Sequence, residues 1–172
     1  MTRKEQFPVK ARKIAYLGLL TALAMILSFV ESQIPALVAI PGIKVGLPNI
    51  AIVFILYKMG AKGAVTVSLV RVFLVSLLFG NLQVMTFSMV GAFLSMLSMI
   101  LLKKTGLFSA IAVSIVGGIA HNVGQIIAAC IWTQTAEVAL YLPVLLISGL
   151  VTGGLIGLAS GLLVKRLEKW NI

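Results

Sequence analysis

The residue of this sequence best suited to hold a ligand is Arg71, a single arginine in the middle of the apolar run AVTVSLVRVFLVSLLF. A guanidinium is costly in hydrocarbon, so within a membrane helix it faces the bundle interior or a wet cavity. Its planar fork of donors suits a carboxylate or a phosphate. Two roles fit it: an anion receptor, or a structural partner of Glu31 or of backbone carbonyls. Further along, His121, Asn122 and Gln125 lie within one apolar segment. Ser114, Gly117, Gly118, His121, Gly124, Gln125 and Ala128 recur there at three- and four-residue steps, so one helix face is small and polar and must point inward. His121 on that face is either a hydrogen-bonded packing residue or a ligand contact able to titrate near neutrality.

The stretch Pro41 to Tyr57, PGIKVGLPNIAIVFILY, supplies Lys44 and Asn49. Prolines, glycines, a lysine and an asparagine break an otherwise apolar protein here. Irregular backbone at membrane depth must line a cavity or lie at the interface. The stretch is read as one wall and part of the lid of a small-molecule pocket. Asn49, Gln83 and Glu31 are weaker candidates for the same pocket than Arg71, since each of the three also reads as a helix cap or interfacial residue.

Other chemistry is excluded. The only acids are Glu5, Glu31, Glu137 and Glu168, and aspartate is absent, so no Asp-rich metal or diphosphate site can form. No GxxxxGK[ST] loop is present, so ATP is not used in the usual way by this chain alone. Cys130 is the sole cysteine, and no His/Cys/Glu set has metal-ligand spacing. No catalytic residue, metal or cofactor is expected, and the chain is not read as an enzyme. A net charge of +10 could indicate nucleic acid, but the basic residues sit at the ends of apolar runs, where membrane topology explains them.

The elements that must position these residues are transmembrane helices. The chain of 172 residues is 60% hydrophobic and 10% charged, with mean hydropathy +1.15, outside the range of soluble domains. The expected fold class is an all-α membrane protein of six transmembrane helices. Residues 1–13 form a basic arm, 14–164 a single six-helix domain and 165–172 a tail. The spans are expected at about Ile14–Val30, Val45–Met59, Ala64–Phe79, Val84–Leu102, Leu107–Trp132 and Leu140–Val164, with turns at Gly60–Gly63 and Gly80–Gln83. The second is short for a bilayer of about 30 Å at 1.5 Å per residue. One side collects the arm's Arg3, Lys4, Lys10, Arg12 and Lys13, then Lys58, Lys62, Lys103, Lys104, Lys165, Arg166 and Lys169, whereas the other side has Lys44. That bias puts both termini in the cytoplasm.

Two small-residue faces stand out. Gly149, Gly153, Gly157 and Gly161 fall at a strict four-residue spacing, which serves close helix packing within the bundle or homodimerisation. Ala11 and Ala15, then Gly18 and Ala22, form a weaker pattern in the first span. It serves either internal packing or docking of another membrane subunit.

The run PGIKVGLPNIAIVFILYKMG, with Arg71 and the later GGIAHNVGQIIAA, resembles the bacterial Gx transporter family, whose members carry the label heptaprenyl diphosphate synthase component I. That family is in turn similar to the substrate-binding S components of energy-coupling factor transporters. The resemblance extends from Arg12 to the sixth span. It implies a pocket in the outer half of the bundle and a lid from the first outer loop, here Ile34 to Lys44. It also implies that the first helix docks through Ala11, Ala15, Gly18 and Ala22 on a transmembrane coupling subunit driven by two ATPases. The implied setting is the bacterial cytoplasmic membrane, with a small-molecule substrate. The synthase label does not extend to catalysis: catalytic prenyl synthases need DDxxD motifs, and this chain has no aspartate. An accessory membrane role in isoprenoid or menaquinone metabolism is the alternative, and a solitary carrier is a third.

Overall fold

The computed structural model describes residues 9–34 and 45–168, and all regular structure among them is helical. Six α-helices follow in order: α1 (Val9–Gln33), α2 (Asn49–Lys58), α3 (Ala61–Phe79), α4 (Leu82–Thr105), α5 (Ala110–Thr133) and α6 (Leu142–Arg166). A short 3-10 helix, Glu137–Tyr141, leads into α6. Five of these helices are long and apolar enough to cross a membrane. Helices that keep their backbone hydrogen bonds internal are what an apolar chain must form in lipid. Large side chains on the outer faces, such as Leu77, Phe93, Ile131 and Leu162, are exposed, which suits contact with acyl chains. The chain is therefore a multi-pass helical membrane protein.

The ends of the helices follow local chemistry. Asn81 caps α4 by accepting from Val84 N–H at 2.8 Å, and Ser109 caps α5 by accepting from Ala112 N–H at 3.2 Å. Gly106, at φ 70°, closes α4 in the left-handed conformation that glycine adopts without steric cost. The expected turn at Gly60–Gly63 is shorter than read from sequence. Gly60 alone precedes α3, and Gly63 lies inside it, where a Cβ would come within 3.2 Å of Leu17 Cδ2 on α1. Its glycine serves packing, not turning.

The second helix departs further from expectation. It begins at Asn49, not Val45, because Gly46 (φ 81°) and the turn through Leu47 and Pro48 come first, with Asn49 N–H donating to Gly46 O at 2.8 Å. Ten residues span about 15 Å, half of a bilayer core. Yet α2 is the centre of the core: Ile52, Val53, Ile55 and Leu56 are fully buried, and the helix touches α1, α3, α5 and α6. It runs parallel to α6 in constant register. Ser160 Oγ donates to Ile50 O at 3.2 Å, and Lys58 Nζ donates to Glu168 O at 3.2 Å, both across 110 residues of chain. Lys103 of α4 also donates to Leu56 O and lies 4.9 Å from the centre of the Tyr57 ring. Ser160→Ala is expected to lower stability by about 1 kcal/mol through loss of one buried hydrogen bond, read as a lower midpoint of thermal unfolding in detergent.

The glycine stripe of α6 lies against α5. A Cβ at Gly153 would come within 2.8 Å of Ile115 Cα, and one at Gly157 within 2.7 Å of Ile111 Cα. Gly149 faces Gly118, with 3.0 Å from its ideal Cβ to Gly118 O. Gly161, at the end of the stripe, has only Ala110 Cβ at 4.0 Å. On its other side α5 meets α4 through Gly124 on Gly91 and Gly117 on Met99. Thus α5 is clamped between α4 and α6, which fixes the height and rotation of its polar face.

Candidate functional site

Beside the N-terminus of α2 lies a cavity of about 370 Å³, lined by residues of all six helices and of 45–48. Asn49, Arg71, His121, Asn122 and Gln125 all line it, although they come from three helices. Glu31 lines it too. Gln83 does not: it is exposed in the first turn of α4. Lys44 and the rest of the expected lid, residues 35–44, lie outside the described residues; Ile34, at the end of α1, lines the cavity.

Arg71 is held from α1. Its Nη1 donates to Ser28 Oγ at 3.3 Å, and the Ser28 hydroxyl donates in turn to Ala24 O at 2.8 Å. Its buried Nε has no hydrogen-bond partner among the described residues. Among the described residues Arg71 makes no ion pair with Glu31 and no hydrogen bond to a backbone carbonyl; its partner is the Ser28 hydroxyl. Glu31 is close enough to act on Arg71 electrostatically, but its carboxylate accepts from Gly46 N–H instead. The returning chain offers Glu31 a backbone donor at Gly46, while Ser28, on the same face of α1, meets the arginine. A guanidinium has five N–H donors, so most of this one's capacity is unused by the described residues.

The other polar groups are fixed by packing. His121 sits over Gly91, whose ideal Cβ would be 2.9 Å from His121 Cε1, so the imidazole occupies space that any larger residue at 91 would fill. Asn122 Nδ2 donates to Leu145 O at 2.6 Å, tying α5 to α6 and leaving its carbonyl oxygen as acceptor. Pro48 and Asn49 place the start of α2 at the cavity wall, so the positive end of that helix's dipole faces the same space as Arg71. The cavity therefore combines the cation Arg71, the carboxylate of Glu31, a helix N-terminus and hydrogen-bonding side chains with apolar surface from Val53, Val72, Val75, Met99 and Ile156. Among the described residues, no group of three His, Cys, Asp or Glu side chains is arranged to hold a metal ion.

Sequence reading missed the hydroxyls. Ser28, Ser76, Ser88, Ser95 and Thr152 all line the cavity. A signal was present in α4, where Ser88, Gly91, Ala92 and Ser95 recur on one helix face, the same small and polar pattern that marks α5. Ser28 carried no such signal, because a lone serine in an apolar helix also satisfies itself on its own backbone.

Fold and cavity together define a class: a small polytopic membrane protein with a ligand-sized cavity of mixed polar and apolar walls among its helices. The model of the family described as heptaprenyl diphosphate synthase component I matches residues 20–163, and the chain belongs to that family. No curated protein and no solved structure matches it.

Proposed function

We propose that this chain is the substrate-capturing membrane subunit of an uptake system and holds a small molecule by an acidic group at Arg71. The observation that carries the reading is the arginine itself: it is half-buried among apolar helices with its Nε fully covered, makes one hydrogen bond among the described residues and borders a ligand-sized cavity. Ionisable residues in membrane interiors are costly and commonly mark ligand and ion pathways where they face a cavity. Asn49, His121, Asn122 and Gln125 orient the ligand, and Lys44, from its place in the sequence, adds positive charge near the entrance. The resemblance to S components of energy-coupling factor transporters supports this reading, as does α1, whose Ala11, Ala15, Gly18 and Ala22 are exposed, with nothing within 4 Å of an ideal Cβ at Gly18. That face docks on a transmembrane coupling subunit served by ATPases, in the bacterial cytoplasmic membrane with both termini inside.

A second reading, a non-catalytic membrane partner in isoprenoid or menaquinone metabolism, is favoured by the family's description. The same experiment separates the two. The tagged protein is purified in mild detergent from its native membrane and every co-purifying protein is identified by mass spectrometry. Recovery of an ATPase pair with a coupling protein, lost in the double variant Gly18→Leu, Ala22→Leu, is the expected result. A prenyl synthase in their place would shift the conclusion to the accessory role, and no partner at all would favour a solitary carrier.

A further inference from the structure

The charges on the cavity wall do not suit a simple anion. Among the described residues, the ionisable side chains lining it are Glu31, Arg71 and His121. Glu31 and Arg71 bear opposite charges and sense each other electrostatically, yet each is tied to a neutral group: Arg71 to the Ser28 hydroxyl, Glu31 to Gly46 N–H. The tethers leave the two charges facing one space without closing on each other. Their spacing is set by α1. Ser28 and Glu31 are three residues apart on one helix face, so their backbones are offset by about 4.5 Å along the axis.

A ligand carrying only negative charge would satisfy Arg71 and bring a second anion beside Glu31. Between apolar helices that repulsion is poorly screened, and two carboxylates sharing a site cannot both stay ionised without cost. A ligand carrying an acid and a cation a few Å apart would meet both charges and leave the net charge of the cavity unchanged. Apolar surface from Val53, Val72, Met99 and Ile156 would take its side chain. The volume, about 370 Å³, is at the small end of ligand pockets. We infer that the cavity takes a zwitterion of the amino-acid class, with its carboxylate on Arg71 and its ammonium on Glu31. This inference rests on the cavity being a ligand site, as proposed above, and specifies what enters it.

The test uses the full chain in lipid nanodiscs and isothermal titration with matched probes: the proteinogenic amino acids, their decarboxylated amines and their deaminated acids. L-phenylalanine, 2-phenylethylamine and 3-phenylpropanoate form one such set, and L-leucine, 3-methylbutylamine and 4-methylpentanoate another. At least one amino acid is expected to bind about tenfold or more tighter than either singly charged counterpart. Glu31→Gln keeps the side-chain size and a carbonyl oxygen for Gly46 N–H, and it should erase or reverse the preference over the deaminated acid. A deaminated acid binding as tightly as its amino acid in the unaltered protein, and lost on Arg71→Gln, would overturn the zwitterion and leave the acid-binding reading standing. Binding of no probe would also overturn the zwitterion; the acid-binding reading falls only if protein from the native membrane also carries no Arg71-dependent small molecule by mass spectrometry.

Discussion

Arg71→Gln is expected to weaken ligand binding by about 100-fold, the equivalent of about 2.7 kcal/mol. Hydrogen bonds to a charged group contribute about 1.5–3 kcal/mol each, and truncating one partner of a desolvated charged pair costs about 2–5 kcal/mol, because the other charge is left buried. Glutamine keeps a donor near the Ser28 hydroxyl but loses the fork and the charge. Arg71→Lys separates these two losses: it keeps the charge without the planar geometry, and an intermediate loss of about tenfold is expected. Lys58→Gln is the control, because Lys58 lies at the far end of α2 against Glu168 O, away from the cavity. Binding is read on the purified protein with its native ligand, identified by mass spectrometry. Equal losses in Arg71→Gln and Lys58→Gln would remove the acid-binding role, and thermal unfolding of each variant distinguishes lost affinity from lost fold.

Gly153→Ala, in the middle of the α6 stripe, is expected to cost about 1–3 kcal/mol of stability. Its added carbon would lie 2.8 Å from Ile115 Cα and 2.9 Å from Ser114 O, both backbone atoms that move only if α5 moves. Gly161→Ala, eight residues further on the same face, would meet only Ala110 Cβ at 4.0 Å and should leave the unfolding midpoint unchanged. The contrast is the informative part. A stripe serving homodimerisation alone would give changes in oligomeric state, without this gradient in monomer stability. Displacement of α5 should also reach the cavity, since Ser114 lines it beside the clash.

Helix type and number were legible because apolar runs bounded by lysines and glycines leave no other structure in lipid. Arg71 and the polar face of α5 were legible for a related reason: a costly residue in an apolar helix has to be turned inward. Which groups they meet was not. Ser28 and Arg71 are 43 residues apart, and their meeting depends on how α1 leans on α3, which Gly63 permits by letting Leu17 approach. The start of α2 was misplaced by four residues because hydropathy continues through Val45 and Leu47, while backbone geometry at Gly46 does not. The glycines of α6 announced a close approach, and the partner became visible only in the structure, where Gly118 on α5 supplies the matching gap.

The shortness of α2 has a mechanical meaning. One end of this helix forms part of the chamber wall at Pro48 and Asn49; the other carries Lys58 to the basic face, where it is fastened to Glu168. A regular helix is stiff along its axis, so the chamber wall and the basic face are joined by a strut about 15 Å long, braced against α6 by the Ser160 hydrogen bond to Ile50 O and against α4 by Lys103.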